Sequence, residues 1–217
     1  TGYSNGQVVK LNGDTTLYAQ WKNTEYEVRF NSNGGSGTMS NQIFEHTVSE
    51  RLDANTFSKT GYTFSGWATS STGSVVYDNK DSVSNLTSTA GGTVTLYAKW
   101  TANGYTLTYN NQSGSGCSSK TGTYGSTWGT LCTPTRTGYT FGGWYTGTNG
   151  SGTKVTSSTM VTENLTVYAK WTANSYTLTY NNQSGSGCNT KTGTYGATWG
   201  SLCTPTRTGY TCGGWYT

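Results

Sequence analysis

Four of the five cysteines form two matched pairs. Cys117 and Cys132 stand fifteen residues apart, and Cys188 and Cys203 repeat that spacing in nearly identical surroundings. Such thiols could make a disulfide, half a zinc shell or a redox pair, or remain buried and free. Zinc asks for four ligands, and no histidine lies near either pair. A redox pair is normally closer, as in C-x-x-C. The corresponding places in the first third of the chain hold Thr38 or Met39 and Asn55, so the two cysteines come and go together. That pattern predicts disulfides Cys117–Cys132 and Cys188–Cys203, each worth roughly 3 kcal/mol, in an oxidising compartment outside the cytoplasm. Cys212 falls where its sister segment has Phe141. It reads either as a small buried hydrophobe or as a thiol that is unpaired here and bonds another chain or a cysteine outside this sequence.

Other chemistry is sparse. The single histidine, His46, has no counterpart elsewhere and reads as a surface or loop residue. After residue 100 there is one carboxylate, Glu163, too few for a paired acid/base system or a calcium cage. "GSG" in "NNQSGSGC" lacks the Lys-Ser/Thr of a phosphate loop and reads as a turn. The expectation is no catalytic residue, no metal and no cofactor, hence no enzyme. A net charge of +4 with dispersed basic residues argues against nucleic acid. No stretch reaches the about 18 apolar residues of a membrane span. The opening "TGYSNGQ" is not a signal peptide and reads like the middle of something. Sequons at Asn85, Asn111, Asn149, Asn164 and Asn182 are what a chain rich in Asn, Ser and Thr yields by chance. Trp128 and Trp199, flanked by Gly and Thr, read as an exposed pair able to contact a sugar or a protein surface.

These residues hang on a repeat. "TLYAQW" at 16–21 returns as "TLYAKW" at 95–100 and "TVYAKW" at 166–171. "GYTFSGW" at 61–67 returns as "GYTFGGW" at 138–144 and "GYTCGGW" at 209–215. "YEVRFNSNGGSG" from Tyr26 becomes "YTLTYNNQSGSG" from Tyr105 and again from Tyr176. The organisation is therefore the C-terminal part of a repeat at 1–21 and a complete repeat at 26–100. A complete repeat with a Cys pair follows at 105–171, then the N-terminal part of another, also with a Cys pair, at 176–217. Segments 101–146 and 172–217 differ at six positions, a sign of recent duplication. The joints "KNTE" and "TAN" are short, so neighbours should be stacked or semi-rigidly strung.

Regular aromatics among Gly, Ser and Thr, with eight Trp and seventeen Tyr, exclude disorder and predict short strands and turns. In "LYAKW" Leu96, Ala98 and Trp100 share a face; in "YTLTY" Tyr105, Leu107 and Tyr109 do. Gly142 and Gly143 permit a bulge before Trp144. The predicted core is Tyr62, Phe64, Trp67, Trp100, Tyr139, Phe141, Trp144, Trp171, Tyr210 and Trp215, with Trp21 also packing. The fold class is mainly β, with room for a small α+β variant through one helical turn at 123–132.

The paired GYTF–GW and LYAKW motifs resemble the Listeria–Bacteroides repeat family, the B-repeat of internalin-type and other bacterial surface proteins. The similarity covers almost the whole chain; the cysteines depart from it. The resemblance implies β-grasp-like modules in an elongated tandem array on secreted or cell-wall-attached proteins, serving as stalks, spacers or adhesive segments. Expected partners are neighbouring repeats or like subunits end to end, and host or environmental glycans or proteins. Read from Thr217 into Thr1, the sequence restores the motif order of a complete repeat. It is therefore expected to be either a window of a longer array or a unit whose open end is completed by the start of the next.

Overall fold

Alternation of aromatic or aliphatic side chains with Thr or charged ones builds every long strand. The structure, a computed structural model, describes residues 2–10 and 12–217. Thr1 and Leu11, within the 1–21 segment, lie outside the described residues. Two compact units form, Thr1–Thr60 with Phe64–Trp100, and Gly61–Thr63 with Thr101–Thr217.

In the first repeat the strands are β1 (Glu25–Asn31), β2 (Gln42–Glu45), β3 (Glu50–Arg51), β4 (Tyr62–Ala68), β5 (Ser82–Val83) and β6 (Thr93–Ala102). Four make a sheet in the order β2-β1-β6-β4, and β3 pairs β5 separately. β1 and β6 run parallel with Phe30 opposite Leu96, whereas β1 and β2 run antiparallel with Tyr26 opposite Phe44. Parallel neighbours need a long crossover, which the intervening residues supply. Val28, Phe44, Leu52, Trp67, Leu96 and Ala98 are buried, with Phe30, Phe64 and Trp100 packed against them. Residues 12–24 form no strand.

The second unit repeats the plan with β7 (Gly104–Asn110), β8 (Lys120–Thr123), β9 (Tyr139–Tyr145), β10 (Lys154–Val155) and β11 (Leu165–Ala173). Their order is β10-β9-β11-β7-β8. β11 is the central strand, parallel to β7 and antiparallel to β9. Its register with β9 shifts between Lys170 and Trp171, leaving Gly142 as the extra residue beside Gly143 at φ +116°. Leu107, Tyr109, Trp144, Val167 and Ala169 form the core with Val155 and Val161.

The architecture is mainly β. Among the described residues the one helical element is the 3-10 turn Thr148–Gly150. The helical turn expected at 123–132 is corrected, because the backbone there is committed elsewhere. β8 pairs β7, and Gly125, Trp128 and Gly129 donate to the carbonyls of Val161, Thr159 and Ser157. The third repeat contributes β12 (Ser175–Leu178) and β13 (Lys191–Thr194), paired antiparallel.

Candidate functional site

Two constructions recur in the second unit and distinguish it from a generic small sheet: a disulfide frame and a joint. In the frame, Cys117 is bonded to Cys132 and Cys188 to Cys203, with Cα atoms 5.8 and 5.7 Å apart. Each bond is tied to the core tryptophan of its repeat. Trp144 Nε1 donates to the Cys132 carbonyl at 2.7 Å, and Trp215 Nε1 to that of Cys203 at 2.7 Å. The Cys132 N–H donates to the Tyr109 hydroxyl, and Asn111 Nδ2 to the Cys117 carbonyl. Tyr180 and Asn182 make the same bonds to Cys203 and Cys188. In the first repeat Phe30 takes the place of Tyr109, and the buried Trp67 indole N–H has no acceptor among the described residues. A hydrogen-bonded indole thus accompanies the disulfide, and where both are missing Phe30, Phe57 and Phe64 pack around the Trp67 ring.

The joint starts at a left-handed glycine, Gly138 at φ +76°. The Tyr195 ring lies over it so closely that a Cβ there would come within 2.2 Å of the ring. Only glycine offers both that conformation and that space. Asn174 knits the contact together. Its N–H donates to the Gly138 carbonyl at 2.9 Å, and its own carbonyl accepts from the Tyr195 N–H at 2.8 Å. Its Oδ1 accepts from Thr140 Oγ1 at 2.8 Å. Tyr139 meets Tyr195 edge to face with centroids 5.7 Å apart, and Arg136 stacks on Tyr139 at 3.8 Å. Within the same unit Gly61, Tyr62 and Thr63 make this set with Asn103 and Tyr124, at 2.8, 2.8 and 2.7 Å for the hydrogen bonds and 5.6 Å for the rings. Every pair of distances agrees to 0.1 Å.

Several side chains stand elsewhere than the sequence indicates. Trp128, expected exposed, is 2 % exposed and cannot present its face to a ligand. Its neighbours Thr127 and Gly129 suggest exposure, but Gly122 on β8 leaves room for the indole, since a Cβ there would meet the ring at 3.1 Å and Val161 at 2.9 Å. Trp199 is half-buried over Gly193 in the same way. Tyr62 and Tyr139, expected in the core, serve the joint, and Tyr210 is 68 % exposed. Trp21, expected to pack, is 93 % exposed. Phe64, Phe141, Trp100 and Trp171 are partly buried against the cores, and Trp67 and Trp144 are buried. Trp215 is half-buried against Tyr180. Cys212 is free and exposed, which corrects its reading as a buried hydrophobe. His46 lies in the turn after β2, as expected of a loop residue, with its ring 4.9 Å from that of Tyr26. The joint itself was missed, although the repeated "TGY", "TAN" and "TYG" triplets are its signal.

Four of the five sequon amides are engaged. Asn111 and Asn182 donate to the cysteine carbonyls, while Asn85 and Asn164 accept from the Thr47 and Thr106 N–H groups. Burial pushes the Tyr26 hydroxyl above its ordinary value, and the Asn41 amide, with Arg29 beside it, holds the Glu27 carboxyl below its own. Among the described residues no three potential ligands gather as a metal site. Among the described residues no helix is long and apolar enough to cross a membrane.

A sequence model of the Listeria-Bacteroides repeat domain matches residues 26–99, 105–170 and 176–217. A protein of Evansella cellulosilytica named as a Gly-rich membrane protein is 32 % identical over 94 % of this chain and 24 % of its own length. A second membrane protein of that organism is 30 % identical over 93 % of this chain and 29 % of its own length. Internalin H of Listeria monocytogenes is 38 % identical over 54 % of this chain and 20 % of its own length. The chain thus spans about a quarter of the length of the first two relatives.

Proposed function

The chain belongs to the Listeria-Bacteroides repeat family, and from that premise we propose that it is a structural spacer displayed outside the cell on a larger surface protein. The recurrence of one joint with distances matching to 0.1 Å carries this reading. A passive linker would have no reason to place a ring on a left-handed glycine twice. The disulfides fit an oxidising exterior, and the relatives are named as membrane proteins and an internalin. The role is mechanical, holding whatever the larger protein carries away from its anchor and supporting adhesion by extension.

Single-molecule pulling between the chain ends tests it. Discrete unfolding steps are expected for the two complete repeats. Reductant should lengthen the released chain by about 45 Å per disulfide, the reach of fifteen residues at ~3.4 Å each less the span already bridged. A featureless extension, like that of an unstructured chain, would sink the spacer reading.

A further inference from the structure

Beside β11 of the second repeat, Asn110, Gln112, Arg136, Asn149, Ala169 and Trp171 surround a cavity of about 570 Å3. That size falls within the ~300–1,000 Å3 of small-molecule sites. Three amide side chains and one guanidinium give it a polar wall, which suits a hydroxylated ligand better than an apolar one.

The first repeat fills the same place with its own chain. Asn31 pairs with Tyr97 as Asn110 pairs with Tyr168, so Ala98 corresponds to Ala169 and Asn33 to Gln112. Asn33 and Gln112 share one left-handed backbone, at φ +48° and +49°. The Asn33 carboxamide donates from Nδ2 to the carbonyls of Ala98 and Ser71, at 3.0 Å each. Gln112 turns back instead, and its Nε2 donates to Asn110 Oδ1 at 3.1 Å. The place that a carboxamide occupies in one repeat is thus open in the other. The wall of the opening also holds strained backbone. Ser113, at φ +67°, stands there where the first repeat has Gly34, directly after the left-handed Gln112. Such conformations are disfavoured for residues other than glycine and gather at ligand sites.

We propose that this cavity binds a saccharide carrying an acetamido group. That group has the chemistry of the Asn33 side chain. Its N–H donates to the Ala169 carbonyl, as Asn33 Nδ2 does to that of Ala98, and its carbonyl accepts from the Arg136 guanidinium. Arg136 is held for this by the Tyr139 ring, 3.8 Å away, and by the Gln112 carbonyl, to which Nη1 donates at 3.2 Å. The sugar hydroxyls meet the Asn110, Gln112 and Asn149 side chains, each of which both donates and accepts. A sugar ring offers hydroxyls to several amides at once, which the side chain of a peptide asparagine does not.

Titration of the isotope-labelled chain with N,N′-diacetylchitobiose, followed through its backbone amide signals, tests the site. Saturable shifts are expected at Gln112, Ser113 and Asn149. Cellobiose, with the same linkage and hydroxyls in place of the acetamido groups, should bind about tenfold more weakly. Gln112→Asn gives the second repeat the carboxamide of the first, on a backbone that already suits it, and should abolish the shifts while the signals of β9 and β11 stay in place. Equal binding of the two disaccharides, shifts that survive Gln112→Asn, or no saturation with either sugar would overturn the proposal. So would tighter binding at the same signals by a short peptide with a central asparagine. None of these results alters the pulling behaviour expected of the spacer.

Discussion

At Gly138 the backbone is left-handed and the Tyr195 ring covers the Cα, so an added methyl group meets two obstacles. Gly209 shares the conformation without the ring, which separates the two. Alanine at either place costs of order 1 kcal/mol for the backbone. Gly138→Ala should also open the joint, so that the Asn174 and Tyr195 amides lose their protection from hydrogen exchange. Gly209→Ala should leave those amides unchanged. Equal exchange in the two variants would mean that the ring does not need the bare Cα.

At the scale of elements, the decisive packing is a tryptophan after a strand. β8 places Gly122 under the Trp128 indole, and Val161, brought in before β11, closes over it. Trp128→Ala should therefore destabilise the second repeat by ~3–5 kcal/mol. Trp199→Ala, at a half-exposed ring, should cost less than half as much in the third. Denaturant-dependent hydrogen exchange resolved by repeat measures both; equal costs would show that the third repeat buries its indole as fully as the second. The frame and the core are coupled in the same element, since the indole of Trp144 is bonded to the carbonyl of a disulfide cysteine.

For the whole molecule, the cysteines are unevenly shared. The first repeat has none, the second has one bridge, and the third has one bridge plus a free thiol. Reduction should accordingly lower the stability of the second repeat by roughly 3 kcal/mol, the entropy returned to a fifteen-residue loop. The first repeat should be unmoved, because its core of Tyr26, Val28, Phe44, Leu52, Trp67 and Leu96 contains no disulfide. Hydrogen exchange with and without reductant, compared repeat by repeat, checks this. Equal loss in both would refute independent cores.

Much of this was legible in the amino-acid order. Period-two alternation assigns Leu96, Ala98, Leu107 and Tyr109 to the inner face, because a strand that slips by one residue exposes its whole apolar set. The repeat count and the paired gain or loss of cysteines were readable too, since both are comparisons of the chain with itself. Only the tertiary structure decided what covers each aromatic ring. Trp128 looks exposed beside its glycine and threonine neighbours, yet Val161 lies over it; Tyr139 looks like core, yet it meets Tyr195 in the next repeat. Burial of a ring is settled by residues far along the chain, and local sequence carries no record of which distant segment will arrive.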